Sequence, residues 1–102
     1  MNKLERDGKV AVIYHPRYGA GWYSWHGVDE LLFDPVVAQM VEADADSENI
    51  IAYCEKAYPA ALHLFAEDLE IEWIPIGSEF IIDEYDGSET IRLKDEFSWL
   101  VA

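Results

Sequence analysis

The chain has 102 residues, 51% of them hydrophobic and 14% aromatic, with 21 Asp and Glu against 7 Lys and Arg for a net charge of −14. This is the size of one domain, 1–102, and it is too rich in aromatic and β-branched residues for a disordered acidic tail. The charge argues against direct binding to nucleic acid or to an anionic membrane, and a lone cysteine, Cys54, excludes an intrachain disulfide and a thiolate metal cage.

Residues 1–8 are charged, have no apolar h-region and read as a frayed start. No apolar run approaches the ~18 residues that a bilayer span needs, so the expected location is cytoplasmic. Val10-Ala11-Val12-Ile13-Tyr14 is a short continuous apolar run, the pattern of a buried first strand, closed by His15-Pro16. From Arg17 to Gly27 follows a loop with three glycines and four aromatics (Tyr18, Trp22, Tyr23 and Trp25).

Asp34-Pro35 signals a helix start, with Asp as N-cap and Pro at the first helical position. Val36, Val37, Met40 and Val41 then fall at helical spacing. Ser47 reads as a second N-cap, before a stripe of Ile50, Ile51, Cys54, Ala57 and Tyr58 that Pro59 ends. The two segments are expected to pack as a helical hairpin, and 60–66 is open between a brief strand and irregular chain. At Leu69 the period becomes two: Leu69, Ile71 and Trp73 alternate with Glu70 and Glu72. Residues 80–85 and 90–94 flank Asp86-Gly87, a two-residue hairpin signal that pairs Tyr85 with Ser88, Ile82 with Ile91 and Phe80 with Leu93. The apolar tail 97–101 is expected to dock on the body. The predicted fold is α+β: a short N-terminal strand, a two-helix hairpin, and a C-terminal antiparallel three-stranded meander packed against the helices.

No catalytic constellation stands out. Gly19-Ala20-Gly21 lacks the third glycine of a dinucleotide loop and the Gly-Lys-Ser/Thr of a P-loop, so a tight turn is the better reading. His15, His26 and His63 have no metal-ligand spacing, although His15 and His26 bracket one loop and leave a metal site there as a minor alternative. Cys54 lies on an apolar stripe without a base or an electropositive setting, as a core residue would. No cofactor and no metal is expected, and the expectation is that the protein is not an enzyme.

The acidic residues carry the functional expectation. Between Tyr18 and Glu55, and again between Ala57 and Ile91, there is no Lys or Arg. Asp68, Glu70 and Glu72 project from one side of a strand at about 6.8 Å intervals, of the order of phosphate spacing along a nucleic-acid strand. Asp83, Glu84, Asp86 and Glu89 surround the hairpin tip, with Glu84 opposite Glu89. These seven acids, with Tyr23 and Trp25 of the aromatic loop, form the candidate partner-binding set. The alternative is a solvated surface for the acids and a core role for the aromatics.

Two stretches, Tyr18-Gly19-Ala20-Gly21-Trp22-Tyr23-Ser24-Trp25 and Leu69-Glu70-Ile71-Glu72-Trp73-Ile74-Pro75 with the following Glu84-Tyr85-Asp86-Gly87-Ser88-Glu89, resemble a group of small uncharacterised acidic proteins of phage and prophage genomes. The resemblance implies a setting, the cytoplasm of a bacterial host, and transfers no activity and no site residue. The expected partner is a basic protein surface, that of a nucleic-acid-binding protein occupied by charge mimicry. A structural or assembly protein that self-associates, as a homodimer for example, is the alternative, and a small enzyme or ligand-binding domain using the 15–26 loop ranks below it.

Overall fold

The computed structural model describes residues 2–94. In chain order its elements are β1 (Glu5–Arg6), β2 (Lys9–Tyr14), α1 (Tyr23–His26), α2 (Asp29–Leu32), α3 (Pro35–Glu42), α4 (Ser47–Ala57), β3 (Glu70–Pro75), β4 (Phe80–Tyr85) and β5 (Ser88–Leu93). The expected docking of 97–101 lies outside the described residues.

The fold is α+β with antiparallel pairing, as expected, but the strands are partnered differently. β3 pairs with β2, from Lys9 opposite Pro75 to Tyr14 opposite Glu70, and not with β4. The result is a three-stranded sheet β1-β2-β3 and a separate hairpin β4-β5, in place of a three-stranded meander. Local pattern cannot reveal a pairing between segments some sixty residues apart, and a short connection between β3 and β4 favours the adjacent partner.

β2 is buried on both faces because both faces are covered. Ala11 and Ile13 meet Val37 and Ala38 of α3 and Ile50 and Cys54 of α4, with Trp22 and Leu31 in the same cluster. Val12, on the opposite face, meets Leu32, Ile74 and Ile91. The hairpin therefore lies, with Leu32 of α2, across the sheet face opposite α3 and α4. A strand covered on both sides needs a continuous apolar run, which is what residues 10–14 provide.

Residues 5 and 6 are not frayed. Asp7 (φ 53°) and Gly8 (φ 77°) make a tight turn, and Glu5 and Arg6 pair with Val10 and Lys9. Arg6 then forks onto Glu42 of α3 at 2.7 and 3.1 Å and lies 4.8 Å over the Trp73 ring. The predicted β4-β5 register is observed, including Glu84 opposite Glu89 and Ile81 opposite Arg92. Asp34 caps α3, its Oδ1 accepting from the backbone N–H of Val36 (2.8 Å) and Val37 (3.0 Å). On α4 the cap position falls on Asp46, and Ser47 is already helical. Val36 faces outward, and Ala38 takes the buried place instead. Residues 60–66 form no strand.

Candidate functional site

The hairpin tip and the 15–24 loop are built as one unit around Glu89. This side chain is 2% exposed. Its Oε1 accepts from the His15 backbone N–H at 2.9 Å. Its Oε2 accepts from the N–H of Trp22 (3.0 Å), the N–H of Ser24 (2.8 Å) and the Ser24 hydroxyl (2.6 Å). Trp22 stands at the N-cap of α1 and has no side-chain acceptor to offer, so Glu89 serves the first turn of that helix from 67 residues away. The backbones lock the same joint: Glu89 N–H donates to His15 O at 2.6 Å, and Gly19 N–H to Asp86 O at 2.7 Å. His15 Nδ1 bonds the Gly87 carbonyl (2.9 Å) and Ser88 Oγ donates to Pro16 O (2.8 Å).

Gly87 is required twice. Its φ is +84°, and a Cβ there would lie 1.5 Å from the Gly19 carbonyl oxygen. The second glycine of the loop packs closely too, though against side chains, since a Cβ on Gly21 would fall 2.5 Å from Ser24 Oγ. Gly19 and Gly87 thus allow close approach of loop backbone to hairpin, and Gly19 has the positive φ (115°) that a tight turn uses.

Glu89 is thereby removed from the partner-binding set, because its carboxylate is consumed inside the protein. Its opposition to Glu84 is relieved by the same burial, while Glu84 turns to accept from the Gly87 N–H at 2.9 Å. The other acids of the tip remain exposed. Asp83 is ion-paired with Arg92. Among the described residues no Lys or Arg forms an ion pair with Glu84 or Asp86. Beside them stand Tyr18 and Tyr85, 71% and 76% exposed, with ring centroids 6.3 Å apart in an edge-to-face arrangement. These tyrosines were not in the sequence-derived set. The signal for Tyr18 was its place in a Gly-rich loop, but its approach to the hairpin depends on the Gly19–Asp86 bond, which no local pattern shows.

The remaining candidates are dispersed. Glu70 and Glu72 lie on the sheet face of Tyr14 and Val12, their register partners, and Glu72 is half-buried. Burial first, and then these two carboxylates, raises the Tyr14 hydroxyl pKa. Asp68 is exposed, in a left-handed backbone conformation (φ 57°), and lines a cleft beside α4. Tyr23 is half-buried and donates to Asp29 at 2.6 Å, whereas Trp25 is 41% exposed and meets Phe65 edge-on at 5.3 Å. Trp22 is fully buried.

The two loop histidines have separate surroundings. His26 accepts from the Val28 N–H through Nδ1 (2.8 Å) and packs edge-on against Trp22 at 4.7 Å, and burial pulls its pKa down to about 4. Among the described residues no three His, Cys, Asp or Glu side chains converge to hold a metal ion. Cys54 is buried in the main core, where burial, and then Asp34 and Glu55, push its thiol up to about 12. A thiol held there is protonated at neutral pH and is a weak nucleophile. No helix among the described residues is long and apolar enough to cross a membrane.

Comparison with known proteins gives no matching family model, no matching curated protein and no matching solved structure.

Proposed function

We propose that the protein is a binding module that occupies a basic, nucleic-acid-binding surface of a protein partner and inhibits it by charge mimicry. The observation that carries this reading is the hairpin tip, where exposed Glu84 and Asp86 flank the exposed Tyr18–Tyr85 pair on a turn clamped from within. Carboxylates without cations steer a basic partner, and tyrosines supply contact area at low entropic cost. Because Glu89 fixes the tip beforehand, little ordering remains to oppose association. The resemblance to small acidic phage proteins fits an inhibitor of a bacterial host protein.

The test is capture from bacterial lysate on the immobilised protein, at low and at high salt, with the double variant Glu84→Lys/Asp86→Lys alongside. A nucleic-acid-binding protein should be retained at low salt, released at high salt or by added DNA, and ignored by the variant. Retention indifferent to both salt and charge reversal would end the proposal. Glu70→Lys/Glu72→Lys, assayed in parallel, reports whether the β3 face belongs to the same contact.

One observation favours the assembly reading instead. Among the described residues β4 has no strand on its outer edge, and an open edge can pair with a second copy. Light scattering separates the two, since a strict monomer at high concentration removes the assembly reading.

A further inference from the structure

A cleft of about 580 Å³ opens between α4, residues 64–68 and the loop around Gly19. This is the size of a small-molecule site. Ile51, Leu64 and Phe65 contribute apolar lining, and Glu48, Glu55, Glu67 and Asp68 contribute carboxylates. Among the described residues no Lys or Arg lines it. Four acids alone would describe a solvated surface, but the cleft also holds a buried imidazole with an unused nitrogen.

His15 lines this cleft and is 4% exposed. Its Nδ1 lies 2.9 Å from the Gly87 carbonyl oxygen, which can only accept, so Nδ1 carries the hydrogen. In the neutral ring Nε2 is then left with a lone pair, and it has no hydrogen-bond partner among the described residues. The imidazole and all four carboxylates therefore offer acceptors. A ligand matching them is a donor, positively charged, with an apolar body.

We propose that this cleft binds an alkylammonium ion, whose N–H donates to His15 Nε2 while its charge faces the carboxylates. The stem packs on Ile51 and Leu64, and the Phe65 ring is available for a cation–π contact. The site is separate from the hairpin tip and does not depend on the charge-mimicry reading. The same chemistry is offered by a free amine and by a lysine side chain.

The experiment is titration of the full chain, followed by calorimetry and by amide NMR, with three probes: 2-phenylethylamine, its neutral counterpart 2-phenylethanol, and the capped tripeptide acetyl-Ala-Lys-Ala-amide. The amine should bind about tenfold or more tightly than the alcohol, since a charge-assisted hydrogen bond separates them, and should shift the amides of Ile51 and Phe65. Tighter binding of the tripeptide would assign the source as a lysine side chain, and tighter binding of phenylethylamine a free amine. Because His15 also holds Gly87, the main variant is placed elsewhere. Ala52→Trp, on an exposed position lining the cleft, should abolish binding without disturbing the core. Glu55→Gln/Glu67→Gln should weaken it by roughly fivefold. Equal affinity for amine and alcohol, no binding of either cation, or binding unchanged in Ala52→Trp would each overturn the proposal.

Discussion

Asp34 and Glu89 are the two carboxylates buried among the described residues, and each accepts four hydrogen bonds, none of them from a Lys or Arg. Asp34 binds the first turn of its own helix through Oδ1, and through Oδ2 it accepts from the hydroxyls of Tyr53 on α4 and Tyr58 at the C-cap of that helix. Glu89 does the equivalent for α1, but from strand β5 of the hairpin, near the far end of the chain. Both show how a chain of net charge −14 can bury negative charge with few cations: backbone N–H groups and hydroxyls replace the water that a carboxylate loses. They differ in reach. Asp34 ties one helix to the next, whereas Glu89 ties the hairpin to the rest of the molecule.

The most severe way to break this symmetry is Glu89→Ala. It leaves the N–H groups of His15, Trp22 and Ser24 without an acceptor and should cost about 3–5 kcal/mol. Urea unfolding gives the loss, and hydrogen exchange gives its location: residues 15–24 and 80–93 should lose protection together, before the three-stranded sheet. A cost below about 1 kcal/mol would mean that the hairpin is held by its apolar face alone. Glu89→Gln keeps the shape but sets an amide N–H₂ among donors, and should fall between the two.

Asp34→Ala should cost less, about 2–4 kcal/mol, from a lost N-cap and two tyrosine hydroxyls left without their acceptor. Tyr58→Phe alone should cost about 1 kcal/mol. Burial, and then the bond to Asp34, raises both phenols, Tyr53 to about 12, so neither ionises within the working pH range. Exchange should place this loss in α3 and α4, leaving the hairpin protected.

The contrast also explains what could be read in the sequence. Asp34-Pro35 states its cap within two residues, and Asp86-Gly87 states its turn and register, because the physics at both places is local. The function of Glu89 needs Trp22, Ser24 and His15 brought to it by the fold, so from sequence it looked like one more exposed acid at the tip. The partnering of β3 failed for the same reason. Its alternation was legible, but β2, its partner, lies far upstream. At Asp7-Gly8 the turn signal is local, but the charged residues around it have the composition of a frayed end.

His26 sets a pH-dependent probe inside the Glu89 joint, on the helix that Glu89 caps. Its folded pKa of about 4 lies below the ordinary 6.5, because burial opposes the charged ring. Between those values the unfolded chain binds more protons, so this contribution is complete above about pH 6.5 and is lost as pH falls toward 4. Protonation would also put a hydrogen on Nδ1, where Val28 N–H now donates. Allowing for the ring's partial exposure, the loss should be about 1–2 kcal/mol. Urea unfolding at pH 7, 5.5 and 4.5 should show a slope in the native protein that is shallower in His26→Gln, and equal slopes would remove His26 as the cause.

The last comparison sets the two Asp-Gly turns side by side, and its Gly8 arm is among the smallest expected effects. Both have positive φ at each central residue, 53° and 77° at Asp7 and Gly8, 51° and 84° at Asp86 and Gly87. A Cβ on Gly8 meets nothing within 4 Å, whereas one on Gly87 runs into the Gly19 backbone. Gly8→Ala therefore carries only the conformational penalty, about 1 kcal/mol. Gly87→Ala carries that penalty plus the displacement of the loop from the hairpin, and should cost at least twice as much. The difference between the two variants measures what long-range docking adds to a turn whose local chemistry is the same. Equal costs would mean that the loop yields freely at Gly19, and that the Glu89 joint is looser than its hydrogen bonds imply.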